Sequence, residues 1–206
     1  MRVKICGLQQ PEDAAVASAA GADLLGVIFA PARRRRTVTE ARAIFAAAAP
    51  EAERVGVFVD APLPEIQDVV AACRLDRVQL GGREAPELCA ALGPRGIKTL
   101  RLPDDRDAFE RYGTPLFHLD AARSGGAGGT GESWDYRLAR EFTCAYSVLL
   151  AGGLTPENVV AAISAAHPWG VDVSSGVETN GVKDADKIVA FIHNARAGFV
   201  AISDQP

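Results

Sequence analysis

The residues able to do chemistry in this chain are few and sit in short segments. Cys6 is followed by Gly7, which leaves its sulfur open to close approach, and Lys4 stands two residues earlier. A thiol beside an ammonium is a candidate general base, provided the charge favours the thiolate. The competing role is a small, inert, buried side chain, the role assigned to Cys73 and Cys89 on helical segments. Asp120 follows Phe117 and Leu119 and precedes the run GGAGGTG at 125–131. Partly apolar surroundings would favour its protonated form and make it an acid; the competing role is a cap on the following loop. Two further segments, AGGLTPEN (151–158) and DVSSGVE (172–178), place glycines where backbone N–H groups approach an anion closely. A helix opening near Thr155 and a short one at Ser175 would add their positive ends; the competing role for these glycines is tight turns. Four arginines at 33–36 follow Pro31. One guanidinium turned inward could fork onto a carboxylate, while the others are solvated surface.

These groups need a scaffold that gathers them. Eight short runs of strand character lie at 3–6, 24–29, 54–59, 77–80, 97–101, 116–120, 147–151 and 170–173. Most are continuously apolar, as expected for strands buried on both faces of a parallel sheet. Between them run alanine-rich segments of helical spacing: Ile66, Val69, Val70 and Cys73 fall at i, i+3, i+4 and i+7. Val159, Val160 and Ile163 mark another helix, and Ile188, Val189 and Ile192 a third. Thr155-Pro156 reads as a cap followed by proline in the first turn, and Thr39 before Glu40 as another helix start. Eight right-handed βα units of about 25 residues close into an α/β fold, the (β/α)8 TIM barrel, with residues 1–206 forming one domain. An open doubly wound sheet is the alternative, but five or six strands would use up most of its chain.

In such a barrel the active site lies at the C-terminal ends of the strands, and the loops after strands seven and eight commonly hold phosphate. The strand-end groups with chemistry are Cys6, Asp60, Gln79, Arg101, Asp120 and Asp172. Cys6 and Asp120 are thereby set across the barrel mouth above a phosphate site, an arrangement for moving protons on a phosphorylated sugar. The run at 125–131 lacks the lysine of a nucleoside triphosphate loop and reads as a lid over that mouth.

Composition narrows the partners. A net charge of −4 argues against a general nucleic-acid binder, and 48 % hydrophobic with 23 % charged residues is that of a globular protein. No stretch approaches the roughly 18 apolar residues of a membrane helix. The opening MRVKICG enters an apolar run with no signal peptide, so the expected location is cytoplasmic. Cys6, Cys73, Cys89 and Cys144 form no CxxC pair, and His118, His167 and His193 lie far apart, which argues against a zinc site or a disulfide framework. The expected partner is a small phosphorylated molecule, bound by a monomer or homodimer without metal.

With these motifs in place, the sequence resembles the phosphoribosylanthranilate isomerases of tryptophan biosynthesis. The resemblance rests on VKICG (3–7), GVIFAP (26–31), VGVFVD (55–60), VQL (78–80), HLD (118–120), GGTG (128–131), LAGGLTPENV (150–159) and VDVSSGVE (171–178), in order along nearly the whole chain. It implies a cofactor-free Amadori rearrangement of a phosphoribosyl arylamine, with Asp120 as the acid that opens the furanose ring and Cys6 as the base at C2′. It further implies that Arg36 faces the anthranilate carboxylate (Arg35 in an ungapped match) and that Asp172 orients the substrate. The loop at Gly152, with the backbone amides of Gly153, Ser174 and Ser175, would hold the phosphate. One departure stands out: the family reads VQLHG where this chain has Val78-Gln79-Leu80-Gly81-Gly82, so a contact to the anthranilate end is missing or comes from another group. Two other readings are a bifunctional isomerase of histidine and tryptophan synthesis, which needs an aspartate where Cys6 stands, and a phosphosugar-binding barrel without turnover.

Overall fold

Apolar runs too short for helices, punctuated by glycine, proline and charge, set the sheet. The computed structural model describes residues 1–120 and 135–203. Among these, eight parallel strands close into a barrel in chain order: β1 (Arg2–Ile5), β2 (Leu24–Ile28), β3 (Glu53–Phe58), β4 (Arg77–Leu80), β5 (Gly96–Arg101), β6 (Leu116–Asp120), β7 (Val148–Ala151) and β8 (Gly170–Val173). Each expected strand agrees to within one residue at either end. The barrel closes through β1 and β8, with Lys4 opposite Asp172 and Ile5 opposite Val173.

The helices are α1 (Pro11–Ala19), α2 (Val38–Ala46), α3 (Leu63–Cys73), α4 (Pro86–Leu92), α5 (Arg140–Ala145), α6 (Val159–Ala166) and α7 (Ala185–Ser203). After β5 the chain makes only a 3₁₀ turn over Arg106–Arg111, and after the residues that follow β6 a second one, Tyr136–Ala139, leads into α5. Two helix starts differ from expectation. The cap of α2 is Thr37 rather than Thr39, because Glu40 must sit three residues after the cap for its carboxylate to accept the cap's N–H. Its Oε2 accepts the Thr37 N–H at 2.7 Å, and Thr37 Oγ1 accepts the Glu40 N–H at 3.3 Å. Likewise α6 starts at Val159, after Asn158, instead of at Thr155. The Asn158 side chain accepts the Thr155 N–H and donates to the Gly153 carbonyl, both at 2.8 Å, which folds 155–158 into a turn. After β8, a small hairpin of β9 (Glu178–Thr179) and β10 (Val182–Lys183) precedes α7.

Strand alternation splits the interior into layers. At the N-terminal end of the barrel, Leu24, Val55, Ile97, Leu116 and Leu149 form an apolar plug with Trp169 packed against it. A larger apolar layer, including Val27, Leu100, Leu119, Ile163 and Phe191, lies between the sheet and the helices. Toward the C-terminal end the interior turns polar, with Lys4, Gln79, Thr99, His118 and Asp172 all buried. Buried charge is costly unless it is paired, so this layer marks the end of the barrel where chemistry belongs. The β3–β5 rim is fixed from outside by a buried ion pair, Lys98 Nζ to Glu84 Oε2 at 2.7 Å. Glu84 Oε1 in turn accepts the Asp60 and Gly82 N–H groups at 3.0 and 2.9 Å. Among the described residues no helix is long and apolar enough to cross a membrane.

Candidate active site

Cys6 follows the last residue of β1, and its N–H donates to the Val173 carbonyl of β8 at 2.8 Å. The sulfur nests against β2, where a Cβ at Gly26 would lie 2.9 Å from it, so only glycine leaves that space. The residue is 6 % exposed and Lys4 beside it is fully buried, with Nζ 2.9 Å from Asp172 Oδ2. Burial pushes the Cys6 thiol above its ordinary value; the Lys4 charge opposes this and the Asp172 charge adds to it. The expectation that Lys4 favours the thiolate therefore holds in direction, yet desolvation outweighs it. Burial acts against the charge on Lys4 and Asp172 too, but their pairing keeps the ammonium above and the carboxyl below their usual ranges. Asp172 Oδ2 also meets His118 Nε2 at 2.8 Å, whereas its Oδ1 is buried without a partner.

The loops after β7 and β8 pack directly on each other. A Cβ at Gly176 would lie 1.9 Å from the Leu154 carbonyl oxygen, so this approach requires glycine. Side chains pin their carbonyls: Tyr136 Oη donates to Gly152 O at 3.0 Å, Asn158 to Gly153 O at 2.8 Å, and Lys183 Nζ to Ser174 O at 2.7 Å. In a trans peptide the N–H points opposite to the carbonyl. These pins therefore fix the directions of the Gly153, Leu154 and Ser175 N–H groups, in the segments expected to bind phosphate. Burial pushes the Tyr136 hydroxyl up to about 12, which keeps it a donor. Ser174 Oγ is buried and unpartnered, close to the backbone at Gly7.

The arginine run divides its duties. Arg34 grips Glu178 with Nε and Nη2 at 2.5 and 2.9 Å, and Arg33 reaches the same carboxylate at 2.8 Å. Burial alone would raise the Glu178 carboxyl, but Arg34, the Lys183 charge and Arg33 bring it down to about 2. Arg36 donates to the Gln9 carbonyl and side-chain oxygens at 3.0 and 2.9 Å, while Arg35 is exposed. The β2 loop is thus clamped to the β8 hairpin, and Arg36 lies at the edge of that clamp.

Asp120 ends β6, half-buried, in register with Arg101 of β5 and Ala151 of β7. The ring order corrects one expectation. Strand β6 is not across the mouth from β1; it lies three strands away, with β7 and β8 between them. The glycine loops after β7 and β8 therefore stand between the thiol and the carboxyl, and the opposite rim is β3–β4. There Arg101 donates from Nη2 to the Gly81 carbonyl at 3.3 Å. Asp60 accepts the Arg83 N–H at 2.6 Å and Gln79 donates to Thr99 Oγ1 at 3.2 Å, so both serve the scaffold. The expected lid at 125–131 lies outside the described residues. Sequence reasoning missed Lys183, Glu178, Tyr136, Asn158 and His118; only His118 carried a signal, its shared strand face with Asp120.

Fold and site define an eight-stranded (β/α)8 barrel whose polar interior opens at the C-terminal rim beside two packed glycine loops. Residues 3–194 match the family described as N-(5'phosphoribosyl)anthranilate (PRA) isomerase. The chain belongs to this family. It is 46 % identical over 213 residues to the N-(5'-phosphoribosyl)anthranilate isomerase of Roseiflexus castenholzii, covering 96 % of this chain and 99 % of that one. The crystal structure of the Thermotoga maritima phosphoribosyl anthranilate isomerase superposes with a TM-score of 0.86 at 37 % identity, over 96 % of this chain and 99 % of that one. A further isomerase structure, in complex with reduced 1-(o-carboxyphenylamino)-1-deoxyribulose 5-phosphate, gives 0.82 at 36 % identity, with the same coverage of both chains.

Proposed function

We propose that the chain converts N-(5-phosphoribosyl)anthranilate to 1-(2-carboxyphenylamino)-1-deoxyribulose 5-phosphate in tryptophan biosynthesis, with Asp120 as acid and Cys6 as base. The observation that carries this reading is the juxtaposition of Cys6 with the packed β7 and β8 loops, Asp120 standing on the strand just beyond them. Protonation of the furanose ring oxygen by Asp120 lets the C1′–O bond break as the amine nitrogen supplies its electron pair, giving a protonated Schiff base. Cys6, as thiolate, takes the C2′ proton; the freed pair forms the C1′–C2′ double bond and neutralises the iminium. The enolamine then gains a proton at C1′ and loses one from O2′ to give the ketone. Asp172, with Oδ1 unpartnered and buried, is positioned to accept a sugar hydroxyl. No step calls for a cofactor. The test is conversion of the synthetic substrate by the purified chain, together with rescue of a tryptophan auxotroph lacking this step; failure of both sinks the reading.

The phosphate belongs on the Gly152–Gly153 and Ser174–Ser175 loops, where fixed N–H groups and the nearby Lys183 ammonium favour an anion. Charge-assisted bonds are worth about 1.5–3 kcal/mol each. A dephosphorylated substrate analogue is therefore expected to bind at least about tenfold more weakly. Ser175→Asp, at an exposed position that accepts a side chain, is expected to raise KM steeply by charge repulsion. Equal affinity for the two analogues would remove the phosphate from this cradle.

A ligand anchored there points its aromatic end toward the β3–β4 rim, flanked by the β2 loop and by β5. Arg36 is the group assigned to the anthranilate carboxylate, and Arg101, at the Gly81 carbonyl, supplies a cation where the family histidine is absent. Arg36→Ala is expected to raise KM by about 10–100-fold, the scale of one lost charge-assisted bond. Arg33→Ala, at a largely exposed side chain, should change KM little. Steady-state kinetics decides: equal small effects at both positions would return the whole run to a surface role.

A further inference from the structure

His118 is a buried titratable residue that the reaction above does not use. It points inward from β6, two residues before Asp120, and its Nε2 lies 2.8 Å from Asp172 Oδ2. The same oxygen takes Lys4 Nζ at 2.9 Å. An ionised carboxylate only accepts, so Nε2 carries the hydrogen of this contact, and Nδ1 is buried and unpartnered. The groups form one row across three strands: the Cys6 sulfur at β1, the Lys4 ammonium, the Asp172 carboxylate of β8 and the His118 imidazole of β6.

We propose that His118 is a positioning residue for Cys6: by sharing the Asp172 carboxylate, it leaves the Lys4 ammonium available to the thiolate. The argument is one of charge. Lys4 favours ionised Cys6 and Asp172 disfavours it. A carboxylate that also holds an imidazole N–H has less negative potential to spend on Lys4. Remove that donor and Asp172 turns wholly to Lys4, so the thiolate loses part of its counter-charge inside a medium that screens poorly.

Among the described residues, few other charges enclose the row. Cys6 faces Lys4 on its own strand, Asp172 from β8, Lys183 from the hairpin and uncharged Gly26 from β2. Arg34 lies beside Gly7 and acts on Lys183. Around His118, β5 offers Thr99 and β7 Leu149 in register, β4 offers Gln79, and Asp120 follows on β6 with Arg101 opposite it. Asp172 is therefore the charged group from another strand that His118 touches directly.

The inference rests on Cys6 being the base, and the test separates the two claims. The Cys6 thiolate is titrated by its ultraviolet absorbance, as the difference between proteins with Cys6 and with Cys6→Ser, in wild-type, His118→Leu and His118→Gln backgrounds. His118→Leu removes the donor and is expected to move the Cys6 titration up by about one pH unit, equivalent to tenfold in thiolate stability. Its kcat near neutral pH should fall about tenfold with KM little changed, and should recover as the pH is raised. His118→Gln retains an N–H for Asp172 and should restore part of both. Should His118→Leu fail to fold, His118→Asn, whose amide is too short to reach Asp172, takes its place. An unmoved Cys6 titration in the donor-less variant, or a kcat loss that raising the pH does not repair, overturns the proposal. Turnover surviving in Cys6→Ser would instead overturn the base assignment, leaving the titration to judge the charge row alone.

Discussion

Cys6→Ser is expected to lower kcat by about 10²–10⁴-fold, the usual worth of a positioned base, while the protein still folds and binds a product analogue. The substitution is nearly isosteric, and the sulfur occupies a space that Gly26 leaves open, so a merely packed cysteine would tolerate it with a modest loss of stability. A serine hydroxyl is scarcely ionised at any pH the protein survives, whereas an ordinary thiol titrates at about 8.5. Burial holds the Cys6 thiol above its ordinary value, which adds a pH signature. A group with a raised value gains its thiolate only as the pH climbs, so kcat/KM should rise through neutrality into the alkaline range. Alkylation by iodoacetamide should follow the same slope and be slowed by the product analogue. Cys144, the exposed thiol among the cysteines, will react first, so the measurement belongs in a Cys144→Ser background. Retention of most turnover in Cys6→Ser would make Asp172 the next candidate base.

The strands were legible because eight apolar runs of four to six residues have no other use in so short a chain. From their ends alone, the rule that barrel chemistry lies at the C-terminal rim selects Cys6, Asp60, Gln79, Arg101, Asp120 and Asp172 with the two glycine loops, and it does not separate the scaffold bonds of Asp60 and Gln79 from the rest. The misread features share a cause: each is decided by a side chain reaching beyond its own element. Glu40 moves the α2 start back to Thr37, and Asn158 delays α6 by folding onto Thr155 and Gly153. Lys183 reads as an ordinary polar residue until the hairpin brings it to the Ser174 carbonyl. The arginine run shows the same limit. Four identical neighbours carry no signal of their partners, yet Glu178 claims two of them and Gln9 a third.

The thiol illustrates why local charge pairing cannot be judged from spacing alone. Lys4 and Cys6 share a strand face, so their proximity followed from strand parity. The magnitude did not, because Asp172 lies 168 residues away in sequence and takes the same ammonium. The polar layer above the apolar plug is therefore best treated as one electrostatic unit, in which altering any member moves the others.

Asp120→Asn is expected to lower kcat by at least about 10²-fold with little change in KM. The amide matches the carboxyl in shape and can still hydrogen-bond, but it has no acidic proton to deliver. Ring opening is the step that needs that proton, since without it the furanose oxygen would leave as an alkoxide. In the proposed reaction, substrate binding draws on other groups, the glycine loops and the arginine rim, so the loss should appear in turnover rather than in affinity. The position of β6 sharpens the expectation: with β7 and β8 between Asp120 and Cys6, a sugar anchored by its phosphate has acid and base on two sides. Deuterium at C2′ of the substrate separates the step assigned to Asp120 from the one assigned to Cys6. In Asp120→Asn ring opening becomes the slowest step, so the C2′ isotope effect on kcat should shrink toward unity, whereas in Cys6→Ser it should be large. If both variants showed the same large isotope effect, Asp120 would be acting after ring opening, and the acid for that step would have to be sought elsewhere on the rim.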